Sequence, residues 1–155
     1  MSVLAKPGHV ALRKGRVSLA YGAYLVTTAT VNRVRYFEDF AAGCMASRCF
    51  EDIALLRDAK MLAWVLMPDH VHWLIQLGEA DLLSGVVNRL KSASARCANR
   101  VLGRKGALWM PTFHDHALRT DEDLQFVARY VVGNPLRAGL VENIGNYPFW
   151  NAVWV

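Results

Sequence analysis

The chain has 155 residues, a 54% hydrophobic composition and a formal net charge of +5. This composition suffices for one hydrophobic core, so we expect a single domain over residues 1–155 with its core at about 20–150. No apolar run approaches the ~18 residues of a membrane span, and residues 1–16 lack the apolar middle of a secretory signal. We therefore expect a cytoplasmic protein without membrane contact. Three cysteines without C-x-x-C spacing predict reduced thiols and exclude a disulfide framework.

The first half of the chain predicts a strand, a helix and a hairpin. Residues 21–30 are rich in aromatic and β-branched side chains, which is typical of a strand. Residues 37–60 carry apolar side chains, Ile53 among them, at spacings of three and four, which predicts one long helix. Residues 61–67 and 70–77 are apolar runs separated by Pro68 and Asp69, so they predict two strands joined by a tight turn.

The second half predicts a helix, a short strand and a last helix. Asp81 is the expected N-cap of a helix that ends near Gly103. Residues 113–118 predict a strand, and a helix that begins at Thr120 and Asp121 must end before Pro135. The tail beyond is expected to be irregular. The order strand, helix, strand, strand, helix, strand, helix predicts an α+β, ferredoxin-like fold, with a single antiparallel sheet and helices packed on one face.

The positive charge is unevenly distributed. No acidic residue lies between Asp81 and Asp115, although six basic residues fall there. On the predicted helix Arg89, Arg96 and Arg100 form a stripe beside the apolar face. A polyanionic partner is one interpretation, because Lys and Arg release counterions from phosphates, and a solvated helix face is the other. The six residues are Arg89, Lys91, Arg96, Arg100, Arg104 and Lys105.

Two histidines stand two positions apart at the start of the second hairpin strand. Alternation on a strand places His70 and His72 on one face, whereas Val71 and Trp73 point to the other, predicted core face. Two neutral imidazoles at this spacing can bind one divalent ion, although an isolated His-x-His often has no metal. Two ligands do not hold a metal firmly, so this interpretation requires a third.

The last predicted helix offers that third ligand. Tyr130 and Asn134 are four apart and therefore share one helical face. The amide oxygen of Asn134 with two imidazoles suits Mg²⁺ or Mn²⁺ better than a structural zinc. Tyr130 would lie beside the ion, and its alternative is a half-buried helix aromatic.

The segments MPDHVHWLI and YVVGNPLRAGLV, in this order, carry a family resemblance. Together with LWMPTFHDHALRTDEDL and NYPFW, they make the chain similar to the HUH single-tyrosine transposases, and in particular to the REP-associated tyrosine transposases. The similarity covers residues 21–150. It implies an HUH nuclease fold, with His70, His72 and Asn134 as metal ligands and Tyr130 as nucleophile. Asp69 departs from the asparagine expected before the first histidine.

The resemblance implies a metal-dependent endonuclease and strand transferase that acts on single-stranded DNA. Its substrate would be a hairpin of a repetitive extragenic palindrome (REP), cut through a 5′-phosphotyrosine intermediate. A phenol with a pKa of ~10 needs a bound Mg²⁺ or Mn²⁺ to polarise the phosphate. The six basic residues between Asp81 and Asp115 would contact DNA, and Arg119 and Arg137 would be either DNA contacts or solvated charges at element ends. A monomer and a homodimer both remain open.

Two alternatives to this function remain. A non-catalytic protein that binds palindromic repeats would keep the fold and the basic stripe. A small-molecule metal hydrolase would require His114 or His116 at the ion, joining both His-x-His pairs into one site. We expect instead that His114 and His116 lie at the surface, and that Trp64, Trp73 and Trp109 belong to the core.

Overall fold

The computed structural model describes residues 19–119 and 122–155. The segment examined for a secretory signal, residues 1–16, and the predicted helix start at Thr120 and Asp121 lie outside the described residues. The strands are β1 (Ala23–Ala29), β2 (Lys60–Met67), β3 (His70–Gln76), β4 (His114–Ala117) and β5 (Trp150–Ala152). The α-helices are α1 (Phe40–Arg48), α2 (Ile53–Leu56), α3 (Leu83–Leu102), α4 (Leu124–Val132) and α5 (Asn134–Arg137).

All five strands form one antiparallel sheet in the order β4-β1-β3-β2-β5. The predicted hairpin is confirmed: β2 and β3 flank Pro68 and Asp69, and Met67 pairs with His70. The predicted α+β class with a single antiparallel sheet is therefore confirmed. Within the described part of the chain, no helix is both long enough and apolar enough to traverse a bilayer.

The first face of the sheet carries the main core. Val71, Trp73 and Ile75 of β3 are fully buried there, together with Leu83 and Leu90 of α3. As predicted, Trp64, Trp73 and Trp109 all belong to this core. The helix α3 ends where expected, at Gly103, whose φ of 66° is left-handed. Its predicted N-cap is wrong: the cap position is Leu82, because the Asp81 carboxylate is used by Arg89.

The second face is covered by α4, which corrects the expectation that the helices pack on one face. Helices α1 and α3 do share the first face. Helix α4, however, buries Ala128 and Val131 against the other face of β2 and β3. Its N-cap is Asp123, whose side chain accepts from the backbone N–H groups of Gln125 and Phe126. The apolar side chains of this short helix thus close a second, smaller core.

The predicted long helix over residues 37–60 is wrong, because the chain breaks it after α1. A 3₁₀ turn at Cys49–Glu51 is followed by Asp52, whose extended backbone and side-chain bond to the Ala54 N–H begin α2. Ile53, expected on the buried face, is 79% exposed. The break lets the Glu51 carboxylate accept from Trp64 Nε1 at 2.7 Å, a tertiary contact that local spacing cannot encode.

The tail is only partly irregular, because it contributes the edge strand β5. Ala152 pairs with Ala63 and Trp150 with Val65 of β2. The Glu51 carboxylate also accepts from Asn151 Nδ2 at 2.8 Å, which ties this strand to the turn after α1. A strand of three residues is too short to be seen as an alternating pattern, and the expectation of an irregular tail missed it.

Candidate active site

The two histidines of β3 point to the second face, as their alternation with Val71 and Trp73 predicts. The centroids of the His70 and His72 rings are 5.0 Å apart, and the ring planes are nearly perpendicular. Both rings are only partly exposed. The imidazoles therefore adjoin one another at the surface of the sheet.

His72 is held by a neighbouring strand. Its Nδ1 lies 2.8 Å from Thr27 Oγ1 of β1, and the register places Thr27 directly opposite His72. Burial, followed by the nearby charges of His70 and Arg137, lowers the pKa of His72 to about 4. The imidazole is therefore neutral at physiological pH, which is the form that binds metal.

His70 is held by the turn that precedes it. Its Nδ1 lies 2.8 Å from Asp69 Oδ1, and the other carboxylate oxygen of Asp69 accepts from Arg33 Nε at 3.1 Å. Burial raises the pKa of Asp69, but the His70 hydrogen bond and the Arg33 charge outweigh it, so the net shift is downward. Both histidines thus use Nδ1 in contacts with protein oxygens, which leaves Nε2 as the atom for a metal. Asp69, which stands where the family resemblance implies an asparagine, orients a histidine in this structure.

The end of α4 is packed beside this pair. Val131 joins Val65 and Met67 of β2 in one buried cluster. In the β2–β3 register Val65 is opposite His72, and Met67 is opposite His70. Directly opposite residues of adjacent strands share a face, so Val131 lies against the immediate neighbours of both histidines. Tyr130 is the residue directly before Val131. The four predicted site residues thus all belong to one chain, namely His70, His72, Tyr130 and Asn134.

Tyr130 is exposed and is contacted by a cation. The Arg137 guanidinium carbon lies 3.7 Å from the centre of the Tyr130 ring, and Arg137 Nη2 donates to the Tyr130 carbonyl at 2.6 Å. Gly133 makes room for this approach, because a Cβ there would lie 3.0 Å from Arg137 Nη1. The Asn134 amide nitrogen donates to the Val131 carbonyl at 2.8 Å, so its Oδ1 is the atom with which Asn134 could bind a metal.

The other tyrosines near the core are engaged differently. The Tyr147 hydroxyl donates to the Leu66 carbonyl at 2.6 Å, and burial raises the pKa of Tyr147 to about 12. The Tyr24 hydroxyl accepts from the Leu19 N–H and is buried. Tyr130, with 57% exposure, is much more accessible than either.

The sequence profile of the family described as transposase IS200-like matches residues 20–134. This chain belongs to that family. A REP-associated tyrosine transposase of Escherichia coli K12 is 30% identical over 95 residues, which cover 60% of this chain and 54% of that protein. A Haemophilus influenzae protein is 32% identical over 100 residues, or 58% of this chain and 57% of that protein. The chain thus spans about half the length of these relatives.

A solved structure gives the same result for the fold. A REP-associated tyrosine transposase bound to a REP hairpin superposes with a TM-score of 0.66 at 25% identity. The match covers 87% of this chain and 79% of that one. The resemblance inferred from the two sequence segments is therefore confirmed, both for the IS200-like family and for the HUH-type fold.

The basic residues of this IS200-like chain do not form one surface. Arg89 bonds Asp81 and the Leu55 carbonyl, and Lys91, whose pKa burial lowers, donates to the Met110 carbonyl. Both are therefore committed within the chain. Arg104 donates to Asn99 and lies over the Tyr36 ring. The remaining predicted contacts are exposed, namely Arg96, Arg100, Lys105, Arg119 and Arg137.

The exposed arginines belong to different layers of the molecule. Arg96 and Arg100 lie on α3, which covers the first face, whereas the histidines point to the second. Arg137 follows α4 on the histidine side. The stripe predicted on α3 is thus separated from the histidine pair by the sheet.

The second His-x-His lies on the same face as the first but one strand further away. Thr27 of β1 pairs with His72 on one side and with His114 of β4 on the other. His114 and His116 are exposed, as expected. In residues 19–119 and 122–155, no group of three or more histidine, cysteine, aspartate or glutamate side chains is arranged to hold a metal. A four-histidine hydrolase site is therefore not formed in this part of the chain.

Sequence reasoning missed the residues that orient the histidines. Thr27 lies 45 positions before His72, and Arg33 lies 36 positions before Asp69. Neither has a local motif, because each is brought to its partner only by the pairing of β1 with β3. Asp69 alone carried a signal, as an acidic residue directly before a histidine.

Proposed function

We propose that this protein is a single-tyrosine DNA endonuclease and strand transferase that acts on single-stranded DNA. The observation that carries the proposal is the packing of Val131 on Val65 and Met67, the neighbours of both histidines in the sheet. Tyr130, the residue before Val131, supplies a solvent-accessible phenol on the same helix. Membership of the IS200-like family supports this interpretation.

The residues present fit a divalent metal. His70 and His72 have Nδ1 held by protein oxygens, and His72 is neutral at physiological pH. Asn134 would add an amide oxygen, which suits Mg²⁺ or Mn²⁺. When bound, such an ion would draw charge from the scissile phosphate and fix its orientation.

The reacting group of the chain would be Tyr130. Its Oη would bond to phosphorus as the bond from phosphorus to the upstream 3′ oxygen breaks. The phenolic proton passes to solvent, and the departing 3′ oxygen takes one up. The products are a 5′-phosphotyrosine and a 3′-hydroxyl, and a second 3′-hydroxyl can reverse the step without ATP because one phosphodiester replaces another. Arg137 would hold the Tyr130 ring and offer a cation to the phosphate.

The proposed substrate is a hairpin with a single-stranded flank. A relative of the same fold was solved bound to a REP hairpin, and palindromic repeats are therefore the natural first substrates to test. On this chain the exposed Arg119 and Arg137 are proposed to contact the flank. Arg96, Arg100 and Lys105 are proposed to contact the more distant part of the hairpin.

The test is covalent trapping with a matched tyrosine control. The wild-type protein is incubated with Mn²⁺ and hairpin DNA carrying single-stranded flanks, and the adduct is resolved on a denaturing gel. Tyr130→Phe should abolish the adduct while hairpin binding stays within a few-fold. Tyr21→Phe is the control, because Tyr21 is exposed to 61%, compared with 57% for Tyr130. This control should form the adduct normally.

Two outcomes would contradict the proposal. An adduct that persists in Tyr130→Phe would place the nucleophile elsewhere. Tight hairpin binding by the wild type with no adduct under any divalent metal would favour the non-catalytic repeat-binding alternative.

A further inference from the structure

A groove of about 390 Å³ lies between β1 and residues 110–114. Its lining residues include the polar Asn32, Arg33 and Thr112 and the apolar Met110. Its volume is within the range of small-molecule sites, which is roughly 300–1,000 Å³. None of the proposed metal ligands lines this groove, and neither does Tyr130.

The outer wall of the groove is held in place by the chain itself. The Met110 N–H donates to the Ala29 carbonyl at 2.8 Å, and Thr28 Oγ1 donates to the Thr112 carbonyl at 3.1 Å. From α3, Lys91 Nζ donates to the Met110 carbonyl at 2.7 Å. A wall fixed by three such bonds does not have to be ordered by a ligand, so binding there avoids that entropic cost.

The groove adjoins the histidine pair on the β1 side. Thr27, which lines it, contacts His72 Nδ1, and Arg33, which also lines it, bonds the Asp69 carboxylate that holds His70. In the sheet β3 lies between β1 and β2. Helix α4 packs mainly over β2 and also contacts β3 and β5, whereas the groove lies along β1. The histidines of β3 therefore lie between the groove and β2, the strand that α4 mainly covers.

Phosphoryl transfer places the attacking and leaving oxygens roughly in line, so the side from which Tyr130 attacks determines the side on which the 3′ oxygen leaves. If Tyr130 approaches the phosphate from the α4 side, the 3′ oxygen departs towards β1. We propose, on the basis of the function proposed above, that the groove binds the nucleotide on the 5′ side of the scissile phosphate. It is the nucleotide whose 3′-hydroxyl is released and must stay in place for strand rejoining.

The lining suits a nucleotide. Arg33 is 61% exposed and uses Nε for Asp69, so its two Nη atoms could donate to a phosphate. The Asn32 amide and Thr112 hydroxyl can pair with base edges, and Met110, 40% exposed, can lie against a base. Asn32 and Arg33 also have positive φ, at 59° and 53°. Two consecutive non-glycine residues in this region are uncommon and are often kept for a function.

The experiment compares two substrates that give the same Tyr130 adduct. The cleavage position is first mapped with the wild-type protein on a palindromic hairpin. One substrate then keeps its nucleotides 5′ of that phosphate. In the other, p-nitrophenol esterifies the same phosphate, so that no upstream nucleotide is present and p-nitrophenolate leaves. Thr112→Trp fills the groove from an exposed position.

We expect Thr112→Trp to slow adduct formation about tenfold or more with the nucleotide substrate and by less than about twofold with the p-nitrophenyl substrate. Met110→Trp should give the same difference between the two substrates, and it replaces Thr112→Trp if that variant does not fold. Ile53→Trp is the matched control, because Ile53 is 79% exposed and lies on α2, far from the groove. This control should react like the wild type with both substrates.

The outcomes separate the groove from the proposed function. If Thr112→Trp slows adduct formation equally with both substrates, or with neither, the groove does not bind the upstream nucleotide. The proposed role of Tyr130 would be unaffected by that result. If the wild type forms no adduct with either substrate, the proposed function fails, and the groove assignment fails with it.

Discussion

One face of the sheet presents Val71, Trp73 and Ile75 of β3, each fully buried beneath α1 and α3. The other face of the same strand presents His70 and His72, whose rings are only partly buried, and carries the two smaller core clusters under α4. The first face therefore supplies most of the apolar burial that stabilises the fold. The second leaves polar groups accessible beside a rigid support, which is where binding chemistry is possible. The two faces divide stability and chemistry between them.

The largest expected effect tests the stabilising face. Phe50 is fully buried and packs edge-on against Trp64 and Trp73, with ring centroids 5.2 and 5.3 Å apart. Phe50→Ala should lower the free energy of unfolding by about 3–5 kcal/mol, measured by urea denaturation. Phe126→Ala on α4 is the control, because Phe126 is 62% exposed. Its effect should stay within about 0.5 kcal/mol, and a larger loss would show that α4 carries more of the stability than the burial indicates.

The next effect tests the support of the histidines. Thr27→Val removes the hydroxyl that contacts His72 Nδ1 while keeping a β-branched side chain in β1. Mn²⁺ affinity, measured by titration calorimetry, should fall about 10- to 100-fold, as is usual when a partner of a metal-binding histidine is lost.

The neighbouring threonine is the matched control for this change. The Thr28 side chain is on the opposite face of β1 and bonds the Thr112 carbonyl. Thr28→Val should cost about 1 kcal/mol of stability and leave Mn²⁺ affinity unchanged. Equal losses of affinity in both variants would mean that the metal does not depend on the orientation of His72.

The smallest effect tests the cation beside the proposed nucleophile. Arg137→Gln removes the charge over the Tyr130 ring and the bond to its carbonyl. The rate constant for adduct formation should fall about two- to fivefold at saturating DNA, which corresponds to losing an exposed cation–π contact of roughly 0.5–1 kcal/mol.

Two further variants separate this role from general charge loss. Arg137→Lys keeps a cation in reach of the ring and should restore part of the rate. Arg129→Gln neutralises an exposed arginine of the same helix and should weaken DNA binding at most, without changing the rate at saturation. An equal loss of rate in Arg129→Gln would assign the effect to net charge.

The histidines and the first-face core could be predicted from the sequence because a strand has a strict period of two. Tyr130 and Asn134 could be paired because a helix brings residues four apart together. The break after α1 and the edge strand β5 were missed, since the contacts that accompany them, from Glu51 to Trp64 and Asn151, join residues far apart in the sequence. Thr27 and Arg33 escaped notice for the same reason: strand pairing, and no local pattern, brings them to the histidines.

The tight turn at Pro68 and Asp69 determines which face of the sheet each side chain of the following strand points to. Met67 and His70 are opposite each other, so the two turn residues decide which side chains of β3 point to which face. One residue inserted there would exchange the faces, sending both imidazoles into the apolar interior and Val71 and Trp73 towards solvent. Chain length at this corner is therefore under tighter constraint than the identity of most residues on the surface.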